Sequence, residues 1–197
     1  MGVTIHYQLG STARGPTQAR DLVAQLRERA LDLPFAQVGE IIELTGSACD
    51  FQQHEDQYAH RWLLIQVRQH VPDPREPARC YAVIPEHVIA FSCLPGPGCE
   101  PANLGLCRYP ATIEVGPWIQ RTIHTNLGQW HWASFCKTEY ANRREHGGAR
   151  NFRRCHLAIV DLLQHAQSLG ILREVYDEAG CWENRQVVAQ ALGMACV

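Results

Sequence analysis

The chain has 197 residues, of which 46% are hydrophobic and 19% are charged, as in an ordinary globular protein. Its formal net charge of -2 gives no long-range attraction to nucleic acid or to an anionic membrane, so we expect neither as a partner. No apolar run approaches the roughly 20 residues of a membrane-spanning helix. The first residues, "MGVTIHYQLG", lack the basic and apolar regions of a signal peptide. The sequence therefore predicts a soluble, cytoplasmic protein and leaves its oligomeric state open.

In the N-terminal half, Thr4–Leu9 has the pattern of a first strand. The next segment predicts an amphipathic helix that begins with Thr17 as its N-cap and runs to Leu33. Strands are predicted at Gln37–Leu44 and, from a short apolar run, at Trp62–Val67.

The middle of the chain is rich in proline and glycine. The stretch "CYAVIPEHVIAFSC" predicts two short strands or a hairpin interrupted at Pro85. The following stretch, "LPGPGCEPANLGLCRYP" at 94–110, is dense in Gly, Pro, Cys and Asn. We interpret it as an irregular loop or lid.

In the C-terminal half, a strand is predicted around 130–133 and a long helix from about Asn151 to Leu169, ended by Gly170. A strand at Arg173–Ala179 and a short helix over about 184–194 complete the prediction.

These elements predict an α+β fold, a mixed or mainly antiparallel sheet with two principal helices packed on it. We expect one domain over 1–197. At both ends of the chain the predicted order of elements is strand, glycine-containing turn, helix and strand. This order could reflect two similar βαβ-like halves, 1–93 and 111–197, joined by the loop 94–110. The same pattern is also the commonest way to cover a sheet, and both interpretations stay open.

The cysteine count is high for a chain without a secretion signal. Nine cysteines, an odd number, predict reduced thiols that are mostly buried as small hydrophobic side chains. No pair has the Cys-x-x-Cys spacing of a zinc ribbon, so the sequence predicts no metal site and no cofactor.

The stretch "GQWHWASFCKTEYA" concentrates reactive and aromatic residues. On a strand, Trp130 and Trp132 share one face, where they could form a stacking platform for a ligand or could pack the core. Ser134 could cap a short helix that begins at Phe135. Cys136 would then lie in the first helical turn beside Lys137, where the helix N-terminus and the cation would stabilise its thiolate.

A nucleophilic Cys136 would need a base within hydrogen-bonding reach. The candidates are His156 and His131, oriented by Glu139 or Asp177. The sequence around Cys136 carries no signature of a cysteine hydrolase family.

The stretch "RREHGGARNFRR" is the strongest candidate for a binding site. It places Gly147, Gly148, Arg150, Arg153 and Arg154 at the start of the long helix, where backbone N–H groups and guanidinium groups could bind an anion. The alternative is a solvated basic face paired with nearby carboxylates.

Three carboxylates, Asp177, Glu178 and Glu183, follow the last predicted strand. They could hold a hard cation, or they could pair with arginines, namely Arg143, Arg144, Arg150 or Arg185. Pairing is the more economical interpretation.

The segments "FCKTEYA", "NFRRCHLAIVDLL" and "DEAGCWENR", with "GCEPANLGLCRYPATI" upstream, cover about half of the chain. They resemble uncharacterised bacterial hypothetical proteins, to which no activity, cofactor or fold is attached. The resemblance implies a stand-alone bacterial cytosolic protein.

Three functions follow as hypotheses. The first is binding of a small anionic ligand, or of an acidic segment, at the arginine-rich helix start and the tryptophan face. The second is a hydrolase-like or transferase-like enzyme with Cys136 as nucleophile, which requires an exposed thiol with an imidazole within about 4 Å. The third is a protein-interaction module with a flat aromatic patch and no pocket.

Overall fold

The computed structural model describes residues 3–52, 60–116, 120–127 and 129–184. Within these ranges the elements are β1 (Thr4–Ser11), α1 (Pro16–Leu31), β2 (Gln37–Val38), β3 (Ile42–Thr45), α2 (Arg61–Gln66), β4 (Gln69–Pro72), β5 (Cys80–Val83), β6 (His87–Leu94), β7 (Ala102–Arg108), β8 (Thr112–Val115), β9 (Arg121–His124), β10 (Trp130–Lys137), α3 (Gly148–Ser168) and β11 (Leu172–Asp177). Short 3₁₀ helices lie at Gly46–Cys49, Glu139–Asn142 and Arg144–His146. The helix predicted over about 184–194 lies outside the described residues, apart from its first residue.

The main sheet has the strand order β11-β1-β10-β7-β6-β2, and β3 also pairs with β6. Its described strand pairs are all antiparallel. Two separate hairpins, β4-β5 and β8-β9, lie outside this sheet. The predicted α+β fold, with a mainly antiparallel sheet and two principal helices, is confirmed.

The two long helices pack against the sheet and against each other. Helix α1 contacts β6 and β7, α3 contacts β11, and the two helices touch directly. Each buries an apolar face, which for α3 is broad: Cys155, His156, Ala158, Ile159, Val160, Leu162, Leu163 and Ala166. The predicted N-cap Thr17 is wrong by two residues, because α1 begins at Pro16 with Gly15 as its N-cap, and proline favours the first helical position.

Two strand predictions in the first half need correction. Trp62–Val67 was predicted as a strand, but residues Arg61–Gln66 form α2. Leu63 and Leu64 are buried while Trp62 and Ile65 are exposed, which is a helical pattern that a run of six residues is too short to reveal. The single strand predicted at Gln37–Leu44 is two short strands, β2 and β3.

The irregular loop predicted at 94–110 is also wrong, because β7 lies within it at the centre of the main sheet. Residues 102–107 are all buried, so this strand shows no alternation of polar and apolar residues that could reveal it. Gly105 is required by close packing, since a Cβ at this position would overlap the backbone of Ile89 and Ala90.

The predicted junction between two halves is therefore a central strand rather than a connection. Helix α1 links β1 to β2, and α3 links β10 to β11, and neither pair of strands is adjacent in the sheet. An internal duplication stays a prediction.

The two hairpins outside the main sheet are tied together by a carboxylate. Asp73, which follows β4, accepts hydrogen bonds from both terminal nitrogens of Arg121 in β9, one of them at 3.0 Å. The same carboxylate accepts the Arg75 amide at 2.8 Å and the Tyr81 hydroxyl at 3.2 Å. The Arg121 guanidinium is the main reason that the pKa of Asp73 lies well below its usual value.

Within the described ranges, no helix combines the length and the apolar character that crossing a membrane would require.

Candidate functional site

The main sheet opens between β10 and β7. Strand β10 pairs with β1 along its whole length, from Thr4↔Lys137 to Ser11↔Trp130. It pairs with β7 only at Trp130↔Arg108 and His131↔Cys107. Beyond these two pairs the facing backbone groups of β7 must find other hydrogen-bond partners.

Side chains supply those partners at Asn103. Its backbone carbonyl accepts the Tyr7 hydroxyl at 2.8 Å and the Trp132 indole N–H at 2.9 Å. All three residues are buried. Burial raises the pKa of Tyr7 well above its usual value, so the phenol stays protonated and donates.

The side chains around the opening form a polar cluster of Gln66, Ser92, Asn103 and Ser134. The Asn103 amide donates to Gln66 Oε1 at 2.7 Å, and Ser134 donates to the same oxygen at 2.9 Å. Ser92 donates to Asn103 Oδ1. Among the described residues, none accepts a hydrogen bond from Gln66 Nε2.

Two cavities meet at this cluster, with volumes of about 310 and 570 Å³. Gln66 and Phe135 line both of them. The larger cavity combines apolar and polar side chains and is lined by His60, Trp62, Leu63, Gln66, Ser92, Glu100, Pro101, Asn103 and Phe135. Its volume lies within the range of small-molecule sites, roughly 300–1,000 Å³.

The charged side chains at these cavities include two carboxylates, Glu100 at the larger and Glu174 at the smaller. Glu174 accepts the Gln8 amide at 2.9 Å. The predicted arginines 150, 153 and 154 line neither cavity. We call the two cavities together the cleft. Of the described residues that line it, none is a lysine or an arginine.

The predicted tryptophan face belongs to the core. Trp130 and Trp132 share one face of β10, as predicted, but both are buried. Trp130 contacts the His87 ring at a centroid distance of 5.3 Å. Of the two interpretations that the sequence left open, the structure supports packing, because no flat indole surface is exposed on this strand.

The environment predicted for Cys136 is wrong. Strand β10 continues to Lys137, so Ser134 caps no helix and Cys136 lies in no helical turn. The Cys136 side chain is 0% exposed, and its thiol donates to the Glu100 carbonyl at 3.1 Å. Burial raises the pKa of Cys136. Lys137 lies on the opposite face of the strand, 3.6 Å from the Glu139 carboxylate.

Neither predicted base is a hydrogen-bond partner of Cys136 among the described residues. His131 lies on the opposite face of β10, half-buried beside Tyr109, and burial lowers its pKa. The condition that the enzyme hypothesis required, an exposed thiol beside an imidazole, is not met at Cys136.

His156 belongs to a different, buried cluster. Its Nδ1 lies 2.9 Å from Thr138 Oγ1, and its Nε2 lies 3.0 and 3.2 Å from the carboxylate oxygens of Asp177. Burial alone would lower the pKa of His156, but the bond to Asp177 and the nearby Cys181 raise it to about 9. Asp177 therefore pairs with His156 and, within the described part of the chain, with none of Arg143, Arg144 and Arg150; Arg185 lies outside the described residues.

The start of α3 agrees with the prediction in part. The helix begins at Gly148, three residues earlier than predicted, and Gly147 and Gly148 both have the positive φ that favours glycine. Arg154 turns inward and donates to the Pro34 carbonyl and to Asn151. Arg150 and Arg153 are exposed. Anion binding at this helix start stays a prediction.

Cys155 is a buried thiol with an altered ionisation. A hydrogen bond with the Cys99 thiol and the charge of Arg154 lower its pKa despite burial. Arg154 Nη2 lies 3.2 Å from Cys155 Sγ. The side chain is nevertheless 0% exposed, so its access to reagents is restricted.

Sequence reasoning missed the residues of the cleft. Gln66 and Asn103 lie in segments predicted as a strand and a loop, and their proximity depends on the opening of the sheet. The feature that marks the larger cavity most clearly is Trp62, whose side chain is 76% exposed. The sequence does not reveal this exposure, because it follows from the helical structure of α2.

Comparisons of the chain with protein-family models, curated proteins and solved structures gave no significant match.

Proposed function

We propose that this protein binds a small, neutral ring compound that carries hydroxyl or amide groups, such as a sugar or a nucleoside, in the larger cavity. The observation that carries the proposal is Gln66, whose Oε1 is fixed by Asn103 and Ser134 while its Nε2 has no partner among the described residues. An amide held in this way is oriented before a ligand arrives, which lowers the entropic cost of binding.

The walls of the cavity support a ring-shaped ligand. Trp62 is 76% exposed and Phe135 is 38% exposed, although large aromatic side chains are usually buried. Aromatic faces pack against planar rings and against the C–H faces of sugars. A concave cavity that combines apolar and polar side chains also fits a small molecule better than the flat patch expected of a protein-interaction module.

The charges at the cleft favour a neutral ligand over the anion that the sequence predicted. Glu100 lines the larger cavity, and its carboxylate has no ion-pair partner among the described residues. A carboxylate at this position would repel an anion and can accept a hydrogen bond from a hydroxyl group. No reaction is proposed for the site.

A ligand-observed NMR panel tests the proposal. The probes are glucose, maltose, N-acetylglucosamine, adenosine and uridine, with phosphate and citrate as anionic comparisons. We expect saturation transfer to at least one neutral probe, with loss of the signal in Trp62→Ala. Leu31→Ala is the matched control, because Leu31 is also exposed but lies at the end of α1, outside the cavity. Binding of the anions alone would contradict the proposal and favour the arginine-rich helix start.

A further inference from the structure

Three potential metal ligands converge beside α3, away from the cleft. His156 Nε2, a carboxylate oxygen of Asp177 and Cys181 Sγ all lie within 4.8 Å of one another. His156 and Asp177 are buried, and Cys181 is half-buried. The proposed function uses none of these side chains.

The histidine is held in the orientation that a ligand requires. Thr138 Oγ1 lies 2.9 Å from Nδ1, and both residues are completely buried. This contact directs Nε2 toward Asp177. In metal sites, the ring nitrogen that does not bind the metal is usually held by such an outer hydrogen bond, which fixes the ring.

The carboxylate is held equally firmly. Asp177 Oδ1 accepts the Ala179 amide at 2.9 Å, and Oδ2 accepts the Trp182 amide at 2.9 Å. These bonds form the turn that follows β11. They use about two of the four acceptor positions of the carboxylate, and the others face His156 Nε2, which lies 3.0 and 3.2 Å from Oδ1 and Oδ2, where a bound ion would bridge the two side chains.

The same turn brings Cys181 back to the pair. The Gly180 amide donates to the Asp177 carbonyl at 3.0 Å, and Gly180 has a φ of +67°, which a glycine adopts without strain. The chain therefore reverses directly after the carboxylate and places a thiol beside it. A buried histidine–aspartate pair alone would need no third ligand of this kind.

We propose that His156, Asp177 and Cys181 form a binding site for one divalent cation of the zinc class. Imidazole, thiolate and carboxylate together are typical zinc ligands, whereas Mg²⁺ and Ca²⁺ require oxygen ligands. Three protein ligands leave one position of a tetrahedral shell for water or a small molecule. The partial exposure of Cys181 provides the route by which the ion enters.

Cobalt(II) titration of the full chain, purified with a chelator and then dialysed, tests the site. Co²⁺ alone is the probe, because a thiolate ligand adds a charge-transfer absorption that nitrogen and oxygen ligands do not. We expect one Co²⁺ per chain with this absorption, and its displacement by Zn²⁺. Cys181→Ser should abolish the absorption and weaken binding by at least about tenfold.

Cys80→Ser is the matched control, because Cys80 is an exposed cysteine distant in sequence from the cluster, and it should bind Co²⁺ as the wild type does. A second readout does not depend on a variant: Zn²⁺ should slow the alkylation of Cys181 but not of Cys80. Absence of stoichiometric Co²⁺ binding, or equal binding by the two variants, would overturn the proposal.

Discussion

The hydroxyl of Tyr7 donates a 2.8 Å hydrogen bond to the backbone carbonyl of Asn103 at the point where β10 and β7 no longer pair. The bond gives the Asn103 carbonyl a partner in place of the strand-to-strand hydrogen bond that it would accept if β10 and β7 paired there. It connects β1 to β7 across the intervening strand β10, and Tyr7 also lines the smaller cavity. The cleft therefore lies where side chains, rather than the ladder, satisfy the backbone of β7.

Tyr7→Phe should lower the free energy of unfolding by about 1 kcal/mol, the usual contribution of a hydrogen bond. The Trp132 indole would still satisfy the Asn103 carbonyl, so the loss should not be larger. Urea unfolding measures the change. Tyr176→Phe is the control, because Tyr176 is 62% exposed, and it should change stability by less than about 0.5 kcal/mol. Equal effects of the two variants would mean that the Tyr7 hydroxyl contributes nothing at the opening.

Alkylation of the native protein with iodoacetamide should label Cys80 early and Cys136 only after unfolding. Cys80 is exposed, whereas Cys136 is buried and its pKa is raised. Cys155 tests whether ionisation or access controls the reaction, since its pKa is lowered but its side chain is buried. We expect access to dominate, so that Cys155 also reacts slowly. Mass spectrometry identifies each site, and labelling of Cys136 as fast as Cys80 would contradict the structure.

The Asp73–Arg121 pair should make stability depend on acid pH. The pKa of Asp73 in the folded protein is lower than the unfolded value of 3.8. The ionised carboxylate therefore stabilises the fold above about pH 4, and this contribution is lost as the pH falls below that value. Asp73→Asn should be less stable than the wild type at pH 7, and the difference should shrink toward pH 2.

Free energies of unfolding measured from pH 7 to pH 2 check this prediction. Arg121→Gln removes the other partner and should flatten the profile in the same way. A pH profile of Asp73→Asn that runs parallel to the wild type would show that the pair does not contribute.

Periodicity predicted the elements that bury one face. The helices at 16–31 and 148–168 and the strands β1, β10 and β11 were all found near their predicted positions. The two helices repeat apolar residues at helical spacing, and β10 alternates more buried and less buried residues along its length. β7 was missed for the opposite reason. It is buried on both faces and follows a turn rich in proline and glycine, so its sequence resembles a loop.

The site was less predictable than the fold. Cys136 and the two tryptophans were chosen for their chemistry. Strand alternation correctly placed Trp130 and Trp132 on one face, but the sequence does not say which face is covered, and Cys136 was predicted in a helix although it lies on the same strand. Gln66 and Asn103 are ordinary polar residues whose role depends on a gap between two strands. His156 and Asp177 meet because α3 returns the chain to β11, a relationship that spans 21 positions.

The most direct test of the account is a titration of the wild type, Gln66→Glu and Gln167→Glu with the sugar or nucleoside that gives the strongest NMR signal. Glutamate at 66 keeps the oxygen that Asn103 and Ser134 bind but replaces the free Nε2 donor with an acceptor, so we predict affinity roughly tenfold weaker. Gln167→Glu makes the same change at an exposed position of α3 and should bind as the wild type does. Unchanged affinity in Gln66→Glu would contradict the proposed site.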